Sequence, residues 1–518
     1  MKLKKLPIGI STLKEIIEED YIYVDKTDIA QKLIENSKYY FLSRPRRFGK
    51  SLFLDTLRTI FDGDKEIFKG LYIYDNGYKF EKHPIIKISF NSGDFSSKES
   101  FNKRVFEILK FNQRELDITC DNDGTSSGCF EELIYQAHKK YKKRVVILVD
   151  EYDKSILDNI EDTEVATIMR EELKNFYSVI KGADEYLKFV FITGVSKFSK
   201  VSLFSGLNNI QDITLNTNFA TICGYTQRDV ETVFEKHLVG VDMQKVKKWY
   251  NGYKFLGEGV YNPFDILLFI ANNFSYRNYW FSTATPTFLL KLIEKNNYFL
   301  PNLENIVKDD RMLDSFDVNY IELETLMWQT GYLTIYDTYE SIKGIKYKLT
   351  IPNNEVRISL MGSIADFMSK IGNTELVQED IYDALLNLDF KEFEKTFKSL
   401  FASIPYNLFT NNKMYKYEGY YVSVFYAYLK ALGLDIVGED VTNKGRIDLT
   451  IKMPNSIIII EFKVDGTDAL KQIKEKEYHQ KYLSENLPIY VVGIEFNKED
   501  RNIEKLEWEK FKKDIKES

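Results

Sequence analysis

The chain has 518 residues, 44% of them hydrophobic and 15% aromatic. That length and apolar content suit about three folded domains and exclude wholesale disorder. A formal charge of −7, from 71 Lys and Arg against 78 Asp and Glu, excludes a chain coated in basic surface but leaves enough cations to line a local groove. The cysteines (Cys120, Cys129, Cys223) form no CxxC pair and the four histidines are scattered. Neither a disulfide framework nor a thiolate or histidine metal cluster is expected, so any metal is to be held by carboxylate oxygens. No signal-peptide h-region and no bilayer-length apolar run is present, so a soluble cytoplasmic protein with no membrane partner is expected.

In chain order, strands are predicted over 39–43, 84–90, 145–150, 188–194 and, briefly, 212–215, with helices over 51–61 and 100–116 between them. Apolar runs without polar alternation belong to strands buried on both faces, and their alternation with helices predicts an α/β fold with a parallel sheet. Residues 1–215 are read as this core, 216–285 as a helical lid and 286–385 as a mostly helical middle region with a hairpin near 333–349. Residues 386–518 are read as a separate α/β domain: helix 421–432, strands 446–452 and 457–463, helix 469–483, strand 489–494.

The segment Arg44-Pro45-Arg46-Arg47-Phe48-Gly49-Lys50-Ser51 follows an apolar strand and opens a helix, the context of a P-loop. Helix-start N–H groups attract phosphate. Lys50 would reach the β and γ phosphates of ATP, and Ser51 would ligate Mg²⁺. The pattern's first glycine is replaced by Arg44, which with Arg46 and Arg47 adds positive charge beside the phosphates; Phe48 and Gly49 complete the loop. The strand Val145–Asp150 ends in acid: Asp150 is a candidate to hold Mg²⁺, directly or through water, and Glu151 is the candidate general base. Along the chain one extra strand separates the P-loop from this acidic strand, as in the NTPase class with an inserted strand. Thr193, ending the next strand, stands where a polar sensor would touch the γ-phosphate.

These stretches, with Leu6-Pro7-Ile8-Gly9-Ile10, Tyr23-Val24-Asp25-Lys26-Thr27, Val149-Asp150-Glu151-Tyr152-Asp153, Thr193-Gly194-Val195-Ser196-Lys197-Phe198 and Leu207-Asn208-Asn209, resemble the AAA-ATPase-like family found beside DUF1703-type nuclease domains. The resemblance implies that arginine at position 44 is normal there. A role for the Asp25 segment near the base or ribose stands beside the plainer reading of a packed N-terminal strand.

The second chemistry lies in Arg446-Ile447-Asp448 and Ile460-Glu461-Phe462-Lys463. In an unbulged hairpin turning at Pro454 and Asn455, Asp448 faces Glu461, with Cβ atoms about 5 Å apart, within reach of one ion. Lys463 shares the face of Glu461. Hard oxygen ligands suit Mg²⁺ or Mn²⁺, which activates water against a phosphodiester, and Lys463 would orient that water or stabilise the developing charge. Glu418 is a candidate extra ligand. Gln472 and Lys476, one helical turn apart, are candidate contacts to a nucleic-acid backbone. The plain alternative is a hairpin with charged ends. The order helix, Asp strand, Glu-x-Lys strand, helix, strand resembles the PD-(D/E)XK nuclease superfamily, a restriction-endonuclease-like fold, in its DUF1703 group; Ile447-Asp448 stands for the family's Pro-Asp.

Three functional readings follow. One is an ATPase and Mg²⁺- or Mn²⁺-dependent nuclease, its substrate expected to be DNA and its activity gated by nucleotide. Another is a signalling NTPase whose C-terminal domain binds nucleic acid without cutting it. The third is a nuclease with an inert P-loop. Oligomeric state is open.

Overall fold

A computed structural model describes residues 3–122, 124–197, 209–283, 287–296, 298–310, 313, 320–369, 374–404, 418–466 and 468–511. Phe198, Leu207 and Asn208 of the motif stretches lie outside them. The chain divides into two compact units, Met1–Trp280 with Val307–Asn353, and Phe281–Ile306 with Asn354–Ser518. The stretch 286–385, read as one middle region, is thus shared between both.

The first unit is built on β1 (Tyr39–Ser43), β2 (Ile85–Ser89), β3 (Val145–Asp150), β4 (Leu187–Gly194) and β5 (Gln211–Asp212), in the order β2-β3-β4-β1-β5. All the paired strands run parallel. The strand set between β1 and β3 in space is β4. The strand that intervenes in sequence, β2, lies at the edge. Every residue of β1 and β3 is buried, whereas β2 alternates, with Ile86 and Ile88 inside and Lys87 outside. That contrast follows from central and edge positions. Asn112 covers the edge by bonding both the N–H and the C=O of Lys87 at 2.8 Å.

The helices Gln227–Val233, Met243–Tyr250 and Pro263–Ala271 flank the short pair β6 (Asn251–Tyr253) and β7 (Val260–Tyr261). They enclose their own apolar cluster around Val230, Phe234, Tyr250, Ile266 and Phe269, joined by Ile22 and Val24 of the N-terminal segment. Tyr250, Tyr253 and Tyr261 are core residues. β8 (Ile306–Asp309), β9 (Thr334–Ser341) and β10 (Gly344–Thr350) form a further sheet in the order β8-β10-β9, the last two as the expected hairpin.

The second unit carries β11 (Asp435–Val441), β12 (Arg446–Met453), β13 (Ser456–Val464), β14 (Ile489–Asn497) and β15 (Asn502–Phe511), ordered as numbered. Only β13 and β14 are parallel; the other pairs are antiparallel. Two of these strands, β11 and β15, were not read from the sequence. The Glu418–Ala431 helix packs an aromatic cluster against the sheet, with Phe425 5.0 Å from Phe462 and Tyr421 4.0 Å from Phe496 between ring centroids.

Candidate nucleotide and metal sites

The helix Lys50–Asp62 begins at Gly49, whose φ of 90° is a left-handed conformation that only glycine adopts cheaply. Lys50 is buried, and its Nζ donates to the carbonyls of Arg44 at 2.9 Å and Pro45 at 2.8 Å. Burial lowers its proton affinity and Asp150 opposes that shift. Ser51 Oγ donates to Asp150 Oδ2 at 2.7 Å, joining the helix start to the end of β3. Thr193 is paired with Leu42 of β1 and lies on the strand between. Asp150 Oδ1 and Thr193 Oγ1 are buried without a hydrogen-bond partner among the described residues. Glu151 has a φ of 53°, strained for a non-glycine residue. Burial, and then Asp150, push its carboxyl above the ordinary range. Lys50, Ser51, Asp150, Glu151 and Thr193 therefore converge around two oxygens that lack partners, a donor set suited to a nucleotide with its Mg²⁺.

Arg44 does something the motif did not suggest. It is fully buried, donates to the carbonyls of Ser43 and Thr214 at 2.9 Å and Phe219 at 3.3 Å, and lies 3.8 Å over the Phe255 ring. Its guanidinium is committed to the scaffold. Arg46 and Arg47 remain exposed, the latter over Phe264 at 4.9 Å. Phe48 is buried edge-on against Tyr253 at 4.8 Å. The loop's own carbonyls are held as well. Arg46 C=O accepts from Trp280 at 3.2 Å and Phe48 C=O from Gly224 at 3.0 Å. Asp25 accepts from Thr27 N and Tyr72 N, both at distances under 3 Å, which is a packing role. Asp153 binds the backbone N–H groups of Val195 and Ser196 just beyond β4.

In the second unit the β12–β13 ladder runs without a bulge from Met453↔Ser456 to Leu449↔Ile460. The paired residues stop there, one step short of Asp448 and Glu461, and Asp448 is tied to β13 through its side chain, Oδ2 accepting from Phe462 N at 2.8 Å. Gly493 pairs with Glu461 from β14, and a Cβ there would lie 2.4 Å from Leu470 N. Its absence lets the Ala469–Lys476 helix lie close on the sheet, and Gln472 Nε2 donates to Glu461 Oε1. Lys463 Nζ lies 3.4 Å from Glu461, 3.5 Å from Glu418 and 2.7 Å from its neighbour's carbonyl, Phe462 O.

Burial raises the proton affinity of both Asp448 and Glu461; backbone donation from Phe462 opposes the first, and Asp448 reinforces the second. Lys463 is raised by Glu418, Glu461 and Asp448 against its own burial. Glu461 Oε2 is buried without a hydrogen-bond partner among the described residues. Two carboxylates, one of them with an unmet oxygen, fit a hard divalent cation. Glu418 instead engages Lys463, and among the described residues no three acid, His or Cys side chains are grouped to hold a metal. Lys476 is exposed on the helix that carries Gln472.

Residues 7–204 match the model of a family described as predicted AAA-ATPase, and residues 416–506 match the PD-(D/E)XK nuclease superfamily. An uncharacterized protein in the vnfD 5' region of Azotobacter chroococcum mcd 1 is 44% identical over 509 residues, covering 97% of this chain and 98% of that protein. The chain belongs to that protein's family. It joins an AAA-ATPase-like domain to a PD-(D/E)XK nuclease-superfamily domain. No solved structure matches it. Among the described residues no helix is long and apolar enough to cross a membrane.

The nuclease-superfamily domain brings up one residue the sequence reading missed. Tyr478 is buried with its hydroxyl beside Gln472 and Glu461; burial, then Glu461, raise its proton affinity. Read as one helix over 469–483, Tyr478 falls on a different face from Gln472. The helix instead stops at Lys476, and Glu477, at a φ of 52°, turns the chain into a 3₁₀ segment that brings Tyr478 back. Glu477 carries none of the glycine or asparagine signal that marks such a break.

Proposed function

We propose that the chain binds and hydrolyses ATP in its N-terminal unit and cleaves nucleic acid, with DNA as the substrate, in its C-terminal unit, nucleotide state gating the cut. Lys50 leaves its two loop carbonyls for the phosphates. Ser51 and Asp150 would hold the cation, Glu151 would accept the proton of the attacking water, and Thr193 would bond the γ-phosphate. Arg44 shapes the loop from below, while Arg46 and Arg47 are the arginines free to meet anionic ligand.

In the second site Asp448 and Glu461 would hold Mg²⁺ or Mn²⁺. The bound ion supplies Lewis-acid charge and lowers the pKa of water. Lys463 is placed to stabilise charge on the phosphodiester, and Gln472 and Tyr478 orient Glu461. The observation that carries this reading is the partnerless oxygen of the buried Glu461, set with the half-buried Asp448 beside an ammonium.

The test incubates the full chain with plasmid and single-stranded DNA in Mg²⁺ or Mn²⁺, with and without ATP, beside Lys463→Ala. Cleavage lost in the variant supports the nuclease, and its dependence on ATP supports gating. ATP binding with no cleavage under any condition overturns the nuclease. A second reading, a nucleotide switch that binds nucleic acid without cutting it, is favoured by one feature: Glu418 bonds Lys463 instead of completing a three-carboxylate set.

A further inference from the structure

The end of the parallel sheet opposite the nucleotide cluster is cationic. Basic residues stand at or near the start of four strands of the first unit: Lys38 precedes β1, Lys82 lies three positions before β2, Arg144 precedes β3, and Lys188 is the second residue of β4. The Ser126–Tyr141 helix ends at the same edge, because its connection enters β3, and it adds Lys139, Lys140, Lys142 and Lys143, all exposed. Six acids face these eight cations: Glu81 pairs with Lys143, Asp117 with Lys140, and Asp184 with Lys38, while Glu185, Asp62 and Glu115 lie nearby. The rim keeps a positive excess on a chain whose total is −7.

A helix C-terminus favours cations, which accounts for Lys139 and Lys140. It does not account for Lys142, Lys143 and Arg144 beyond the helix, or for Lys38 and Lys188 on other strands. Aromatic rings are set among the charges. Tyr135 and Tyr141 are 44% and 38% exposed. Tyr135 meets Tyr186 at 5.6 Å, His138 lies 5.2 Å from Tyr186, and Lys139 lies 5.9 Å from the Tyr135 ring.

We infer that this rim binds single-stranded nucleic acid: ammonium and guanidinium groups track the phosphates, and unpaired bases stack on Tyr135 and Tyr141. The inference rests on the nucleic-acid substrate proposed above and adds a docking surface on the other unit from the Asp448–Glu461 pair.

The experiment titrates the full chain against a labelled mixed-sequence single strand and its duplex by fluorescence anisotropy, in EDTA to prevent cutting, at several KCl concentrations. The variants are Lys142→Glu/Lys143→Glu/Arg144→Glu and Tyr135→Ala/Tyr141→Ala, with ATP binding and thermal unfolding as folding controls. Each phosphate contact to a single strand contributes about 0.7 to the slope of log affinity against log salt, so loss of three contacts lowers that slope by about 2 and weakens binding at least tenfold. The tyrosine variant weakens the single strand about tenfold or more and leaves the duplex unchanged. Wild-type affinity and slope in the triple variant overturn the rim, as does equal loss of duplex and single strand in the tyrosine variant. A wild-type chain that binds neither nucleic acid overturns the rim and the substrate reading together. Binding that depends on the rim, without cleavage in Mg²⁺, overturns the nuclease alone.

Discussion

Replacing Arg44 by glycine restores the first glycine of a standard P-loop, and the structure predicts that this repair damages the site. Arg44 bonds three buried carbonyls and covers Phe255. Glycine strands those carbonyls, at about 1–3 kcal/mol each and about 4 kcal/mol together. It also empties a large side-chain volume, about 3 kcal/mol for a change of this size in a core. Relief of the buried charge offsets part of this. Burial pulls the guanidinium down to about 10 from its ordinary value, a relief of about 3 kcal/mol at ~1.4 kcal/mol per unit. The losses win by about 4 kcal/mol, a fall on the order of 10 °C in unfolding temperature. Thermal unfolding with titration of a fluorescent ATP analogue measures both consequences. Affinity should fall at temperatures where the variant is still folded, because the loop has lost its floor. Arg44→Lys should also lose affinity, since a single ammonium cannot reproduce the fork. A glycine variant as stable as wild type that binds nucleotide equally or more tightly refutes the scaffold role and returns Arg44 to the phosphates.

Other expectations concern the two acid clusters. Lys50→Ala should abolish detectable ATP binding by calorimetry. Glu151→Gln should keep that binding and reduce phosphate release at least a hundredfold, as for loss of a general base. Glu461→Gln should abolish Mg²⁺-dependent cleavage of DNA, yet raise the unfolding temperature of the metal-free chain at pH 8. Burial pushes its carboxyl up to about 8 in the folded chain, so its destabilising effect is absent below the ordinary carboxylate range and grows as pH rises from that range to about 8. At pH 4, where the unfolded glutamate is itself largely protonated, the two chains should unfold much closer together; a gain of equal size at both pH values would sink the explanation.

What could be read ahead of the structure was what local periodicity determines. The nearness of Asp448 to Glu461 needed only a two-residue turn and a period of two: the ladder keeps the expected register from Met453↔Ser456 to Leu449↔Ile460, and the Asp448 side chain bonds Phe462 N just beyond it. The P-loop and the acid at the end of β3 were legible because strand ends and a helix start are sequence-local. Arg44 was not, since its direction is set by Thr214, Phe219 and Phe255, about 170 or more positions along the chain. Nor could the linear order say that β4 takes the inserted place or that the Val307–Asn353 segment belongs to the first unit.

Asp150 Oδ1, Thr193 Oγ1 and Glu461 Oε2 share a property that ties these threads together. Each is buried and lacks a hydrogen-bond partner among the described residues, and each belongs to a residue of the two sequence motifs. Leaving such an atom unmet costs about 1–3 kcal/mol, and a well-packed fold would replace it unless binding recovers the loss. Other buried polar atoms in the chain share the deficit, so the deficit alone selects no site. Its coincidence with a helix start loaded with Lys50 and Ser51, and with an acid pair beside Lys463, is what gives it weight. The same reasoning sets Arg44 apart. All but one of its nitrogens are satisfied within the fold, so a ligand would have to break three bonds to reach it, whereas Lys50 gives up only two carbonyls of its own loop. That difference is why nucleotide binding should be lost with Lys50 and the loop's shape with Arg44.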